Sequence, residues 1–257
     1  MSTLILIALS CALVVVLASL ALILHKVRRI HLIAYELRDD AMHARREAEV
    51  LFSQVHALLA LERRLGLQRA LPPMRGWAGS PDFLLAVAEE ILARKPRTIL
   101  ECSSGVSTLV AARCAQIIGA GHVYSLEHEP AYAAKTRALL TSYDLGNWAT
   151  VLDAPLVGLE DGSRWYSLAT LPSDLPLAEM LVVDGPPTAV GLLARYPALP
   201  RLASRLAPGF AIFVDDAARD DEREMVRRWC LEHPGLSETR LDCEKGLSIL
   251  RQEHAAQ

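Results

Sequence analysis

The sequence predicts an α/β protein: a doubly wound, mostly parallel seven-stranded sheet with a C-terminal antiparallel hairpin, preceded by a transmembrane helix and a helical stalk. Three observations lead there. From Ser80 onward, short apolar runs alternate with helical segments, which is the pattern of a parallel sheet covered on both faces. The last two runs are joined by Glu244-Lys245-Gly246, a hairpin turn. At the other end, Thr3–Leu24 carries no charge at all.

Taken in order, the first element is that apolar run. Roughly twenty apolar residues suffice to cross a hydrocarbon core, and the run lacks the polar stripe of a soluble helix. No Lys or Arg precedes it, as a signal peptide would require, although Ala18-Ser19-Leu20-Ala21 offers small residues for cleavage. The cations follow it, in Lys26, Arg28 and Arg29. The expectation is therefore a single-pass anchor over 1–25 in the inner membrane, with the catalytic domain on the cytoplasmic side.

Residues 26–70 read as a helical stalk. Ile30, Ala34, Leu37, Ala41, Ala44, Ala48, Leu51, Val55, Leu58, Glu62 and Leu65 alternate in threes and fours. That is a coiled-coil seam held for about five heptads, with a homodimer as its consequence. The three alanines and Glu62 weaken the seam, so one amphipathic helix lying on the domain is the competing reading. Leu71-Pro72-Pro73 breaks the helix and opens the domain, 71–257.

Within the domain, Ser80-Pro81-Asp82 starts a helix to about Arg94, with a cap followed by Pro at the first helical position. Strands are expected at 98–102, 122–127, 149–152, 180–184 and 210–215, with helices between them. The hairpin at 238–243 and 247–251 completes seven. A net charge of −3 with dispersed Lys and Arg excludes a nucleic-acid footprint. Five cysteines without a CxxC pair read as free thiols in a reducing compartment, not as a zinc site.

Ligands of such sheets bind beyond the carboxyl ends of the strands. Four of the five parallel strands end in acids there: Glu101, Glu127, Asp184, and the pair Asp215 and Asp216. A charge beside a buried strand needs a partner or a ligand. The turn Ser103-Ser104-Gly105 is built of small residues, so a ligand can approach its backbone and the helix N-terminus that follows. It is not GxGxxG, and no Tyr-x-x-x-Lys pair occurs, which argues against a nicotinamide-dependent oxidoreductase. Glu127, at the end of the second strand, can accept both hydroxyls of a ribose.

The segments TILECSSGVST at 98–108, SLEHEP at 125–130, LVVDGPP at 181–187 and FVDD at 213–216 together resemble class I S-adenosylmethionine-dependent methyltransferases. More narrowly, they resemble bacterial small-molecule O-methyltransferases over about residues 77–251. The resemblance implies S-adenosylmethionine as cofactor, with Glu101 and Ser103, Ser104 and Gly105 near its methionine part. It implies Glu127 on the ribose and Asp153 near the adenine, where Asp153 could equally be a loop acid. It also implies a divalent metal, Mg²⁺, on Asp184, Asp215 and Asp216, the alternative being a turn acid and two helix caps. Two departures stand out. Ser103 replaces a glycine that such turns favour, and Pro187 replaces the lysine base found three residues after the first aspartate. Besides Asp184, His128 is the substitute catalytic candidate. Trp77, Trp148, Trp165 and Tyr166 are candidates for an acceptor pocket or for plain packing. The acceptor is then a small molecule or, given the anchor, a lipid-linked one, and a catalytically silent scaffold is the competing function.

Overall fold

The computed structural model describes the backbone of residues 2–74, 76 and 78–252. Met1, Arg75, Trp77 and residues 253–257 lie outside the description, as do the side chains of 2–8, 10–12, 14, 15, 18, 36, 39, 40, 43, 44, 46 and 47. The acceptor-pocket candidate Trp77 is thus outside the described residues. The chain divides into two compact units, residues 1–52 and 53–257.

Helix α1 runs unbroken over Ser2–Leu65. Among the described residues no helix is long and apolar enough to cross a membrane. The expectation of a membrane anchor, and with it of an inner-membrane location with a cytoplasmic domain, is corrected accordingly. Much of the apolar run falls among side chains outside the description, and the described stretch from Ser19 meets Lys26, Arg28 and Arg29 within about three turns. In the first unit the helix surface carries Arg45 3.2 Å from Glu49, an i,i+4 pair. Ile30, Leu37 and Leu51 are exposed there.

In the second unit, the last turns of α1 belong to the domain itself. Leu61 and Leu65 are fully buried against Phe83, Leu84 and Ile91 of α2 (Pro81–Arg94). Burying one such leucine contributes about 1.5–3 kcal/mol, more than an exposed charge pair. Gln54 Nε2 donates to Asp82 Oδ2 at 2.7 Å, and Arg113 Nε donates to the Leu65 carbonyl at 2.8 Å where the helix leaves carbonyls unpaired. The compact unit therefore begins at Ser53. For these turns, a helix laid on the domain is the description that holds.

The domain is built on β1 (Thr98–Cys102), α3 (Val106–Ile118), β2 (His122–Glu127), α4 (Pro130–Ser142) and β3 (Ala149–Asp153). A two-stranded ribbon follows, β4 (Leu156–Gly158) and β5 (Arg164–Tyr166), then β6 (Ala178–Val183), α5 (Ala198–Leu202), β7 (Leu206–Asp215), α6 (Asp220–Glu232), β8 (Leu236–Leu241) and β9 (Leu247–Gln252). The seven-stranded sheet has the order β3-β2-β1-β6-β7-β9-β8. Its first five strands are parallel and β9 pairs antiparallel with both β7 and β8, so the doubly wound sheet with a terminal hairpin is observed.

Strand alternation makes two cores. Ile99, Met180, Val182, Ala211 and Phe213 face α2 and α3, while Leu100, Leu181, Val183, Ile212 and Val214 face α5 and α6. Every residue of β1 is buried, as a central parallel strand requires. The chain winds outward from β1 in one direction and from β6 in the other, so a crevice opens between the carboxyl ends of these two strands.

Candidate active site

Register sets the site. Cys102 pairs with Val183, and Val183 with Val214, so the residues after them stand side by side at one end of the sheet. Glu127 and Asp153 pair at the same end. The turn after β1 bends at Ser103, whose φ of 100° lies in the left-handed region, and at Gly105 with φ 153°. The Ser103 amide donates to the Leu126 carbonyl at 2.9 Å, and this bond holds the turn against β2.

Two carboxylates serve this turn. Glu101 is buried and accepts hydrogen bonds from Thr108 Oγ1 at 2.6 Å and from Ser125 Oγ. Burial pushes its carboxyl up, against the pull of the Ser107, Ser125 and Thr108 hydroxyls. Thr108 in turn accepts from the Gly105 amide at 3.0 Å, so Glu101 braces the N-terminus of α3 through one hydroxyl. Glu127 is also buried. Its Oε2 accepts from the Ser104 amide at 3.1 Å and the Ser104 hydroxyl at 2.9 Å, and its Oε1 from the Glu129 amide at 3.0 Å. Burial raises the Glu127 carboxyl, but His128, the Glu129 amide and Ser104 outweigh it and hold the group below its usual value. Glu127 is thus an ionised, oriented acceptor. The Ser104 hydroxyl also lies 3.0 Å from Thr136 Oγ1, a partner available if it leaves Glu127.

Asp153 stands apart from this cluster. Its side chain is largely exposed and paired with Arg137 Nη2 at 2.7 Å. Trp148 precedes β3 at the amino end of the strands and packs with the α3 side of the core, away from the site. Trp165 and Tyr166 are carried by the ribbon and buried in the other core. The Tyr166 hydroxyl reaches the crevice: a Cβ on Gly185 would lie 2.5 Å from it and 2.9 Å from Ser103 Cβ. Only glycine fits at 185, between the two strand ends. The His128 ring meets Tyr166 edge-on at 5.9 Å, with Nδ1 3.2 Å from Glu127 Oε1. His128 therefore belongs to the Glu127 side of the site.

On the other side, carboxylate oxygens of Asp184, Asp215 and Asp216 lie within 4.8 Å of one another. Asp215 Oδ1 accepts from the Asp216 amide at 2.8 Å, and Asp216, at φ 60°, turns the chain so that both side chains converge. Burial, then Asp216, pushes the Asp215 carboxyl up to about 6, and burial followed by Asp215 raises Asp184 as well.

Arg195 joins this cluster and was not among the residues singled out from sequence. Its side chain is only 5% exposed. Nη2 donates to Asp216 Oδ2 at 2.8 Å and lies 3.6 Å from Asp184 Oδ1. Nη1 donates to the Asp215 carbonyl at 3.0 Å and Nε to the Pro186 carbonyl at 3.3 Å. Glu222 Oε1 of α6 stands 3.6 Å from Nε, and Arg219 Nη1 2.9 Å from Asp216 Oδ2. Burial pulls the Arg195 guanidinium down, but Asp184, Asp216 and Glu222 outweigh it. A lone Arg in the apolar stretch Leu192-Leu193-Ala194-Arg195-Tyr196-Pro197 was the available signal, because buried acids need a buried cation.

Three carboxylates here, those of Asp184, Asp216 and Glu222, meet the guanidinium groups of Arg195 and Arg219, while the Asp215 carboxylate meets neither. With Lys245 acting on Asp184 and Asp215, the four acids still outnumber the cations by one. Asp215 Oδ2 and Asp216 Oδ1 are buried and have no hydrogen-bond partner among the described residues. Each of these acids thus has one oxygen tied down and one free. Hard oxygen donors with surplus charge fit a divalent cation such as Mg²⁺.

No family model matches the chain, and no curated protein matches it. Solved structures do. The SAH-bound methyltransferase PaMTH1 of Podospora anserina is 17% identical, with 76% of this chain and 88% of that chain covered at a TM-score of 0.55. The O-methyltransferase of Bacillus cereus in complex with SAH is 17% identical over 78% and 91%, at 0.52. Cofactor-bound Rv0187 from MTB is 21% identical over 79% and 89%, at 0.52. The chain has the fold of the class I S-adenosylmethionine-dependent methyltransferases.

Proposed function

We propose that residues 53–257 form an S-adenosylmethionine-dependent methyltransferase that methylates an oxygen of a small-molecule acceptor. One observation carries the reading. An ionised, buried Glu127 beside a left-handed turn flanks one side of the crevice, and a cation-seeking acid triad flanks the other. The fold likeness to SAM- and SAH-bound methyltransferases supports it.

S-adenosylmethionine supplies an electrophilic methyl group on a sulfonium, so the protein has mainly to position the reactants. Glu127 would accept the ribose hydroxyls once the Ser104 hydroxyl turns to Thr136. The Ser103–Gly105 turn lets the methionine part approach the backbone. Asp184, Asp215 and Asp216 would hold Mg²⁺, which when bound lowers the pKa of a ligated hydroxyl. Arg195 fixes the triad by holding Asp216 Oδ2, so that Oδ1 stays free. His128 is the remaining base candidate on the Glu127 side.

A catalytically silent methyltransferase-like domain is the second reading, favoured by Pro187 where a lysine base would stand. Incubating the full chain with methyl-labelled S-adenosylmethionine, a metabolite extract and Mg²⁺ separates the two. The enzyme reading expects a labelled small molecule, lost on chelation while S-adenosylmethionine still binds. Binding without any labelled product supports the silent domain, and full turnover in excess chelator removes the metal.

A further inference from the structure

The Tyr166 hydroxyl has no role in the packing that holds its ring. Tyr166 is 2% exposed, and its hydroxyl has no hydrogen-bond partner among the described residues. A buried polar group left unmatched costs free energy, and a folded protein keeps one where something else satisfies it in use. The ring itself is firmly placed. Leu156 pairs with Tyr166 across the ribbon, the Ser167 amide donates to the Pro155 carbonyl at 2.9 Å, and Trp165 and His128 meet the ring edge-on at 5.0 and 5.9 Å.

Its position is specific. The hydroxyl lies against Gly185, the first residue after Asp184, and Gly185 lies against Ser103 in the turn after β1. The ribbon, which takes no part in the main sheet, therefore delivers one phenol to the junction of the two turns that bound the crevice. We propose that Tyr166 donates a hydrogen bond to the carboxylate at the amino-acid end of bound S-adenosylmethionine. The inference rests on the methyltransferase reading above.

Chemistry selects the carboxylate. The amino-acid end brings one ammonium and one carboxylate. The nearby strand ends offer acids, Glu101 and Asp184, which suit the ammonium and repel the carboxylate. A carboxylate needs donors. Burial, with the Glu127 carboxylate adding to it, keeps the phenol protonated well above its usual range, so it remains a donor. Arg195, 3.6 Å from Asp184, offsets part of that acid's charge. The amides of Ser103, Ser104 and Gly105 are already committed to the Leu126 carbonyl, Glu127 and Thr108, so among the described residues the phenol is the uncommitted donor at this junction.

The test is calorimetry on the full chain and on its Tyr166→Phe variant, with two ligands. One is S-adenosylmethionine. The other is 5′-methylthioadenosine, which keeps the adenosine and the methylated sulfur, as a neutral thioether in place of the sulfonium, but lacks the amino-acid end. The variant should bind S-adenosylmethionine about tenfold more weakly or worse, the usual cost of a lost hydrogen bond to a charged group. It should bind 5′-methylthioadenosine as the parent does, and without ligand it should melt no lower than the parent, because it discards an unmatched hydroxyl. Equal affinity for S-adenosylmethionine would overturn the proposal. So would an equal loss for both ligands, or a melting point several degrees lower, since each would make the hydroxyl structural. If the parent itself binds neither ligand, the methyltransferase reading falls, an outcome distinct from failure of the Tyr166 contact.

Discussion

Ser103 shows how one residue can carry a local cost. Its φ of 100° is a conformation that L side chains resist, and its amide is committed to the Leu126 carbonyl, so the turn cannot relax. Ser103→Gly should relieve about 1–2 kcal/mol of that strain, less about 0.5–1 kcal/mol for the extra freedom glycine has when unfolded. The denaturant midpoint of the variant should therefore rise slightly, and a lower midpoint would mean the hydroxyl makes a contact worth more than the strain. The sequence marked Ser103 only through the family resemblance, as standing where a glycine is usual, and its φ of 100° gives the physical reason a glycine suits that position. The state of Glu127 was only half legible. Its place at the end of β2 followed from the pattern, but its capture by Ser104 depends on a side-chain rotamer, which no spacing encodes.

Arg195 acts between elements. Its guanidinium ties the turn after β6, the end of β7 and the first turn of α6 into one network. Arg195→Met should leave Asp216, Asp184 and Glu222 buried with too little compensation. Breaking a buried ion network in this way costs about 3–5 kcal/mol, which a shift of the denaturant midpoint would read directly. A variant as stable as the parent would show that the acids shed their charge without it. The large elements were legible because parallel strands are short, apolar and separated by helices. The β4–β5 ribbon was not, since two three-residue strands are too short to show a period. That ribbon carries Trp165 and Tyr166, two aromatics the sequence marks as pocket or packing candidates without showing the strand that holds them.

For the whole molecule, the alternation of short apolar runs with helices yielded the doubly wound, mostly parallel sheet but not its strand order, and the terminal hairpin was read from its turn. The compact unit begins at Ser53, ahead of the break at Leu71-Pro72-Pro73 that is visible in sequence, because the burial of Leu61 and Leu65 depends on what α2 presents to them. The anchor reading treated an apolar run by itself, while the described part of α1 contains no span that could cross a membrane. The account as a whole depends on a cofactor site at the crevice between β1 and β6, and titrating S-adenosylmethionine into the full chain and its Glu127→Gln variant tests that most directly. The variant keeps the shape of Glu127 but loses the charge that strengthens its hydrogen bonds to ribose, so binding to one site in the parent should weaken about tenfold in the variant. No binding by the parent, or equal binding by both, would contradict the account.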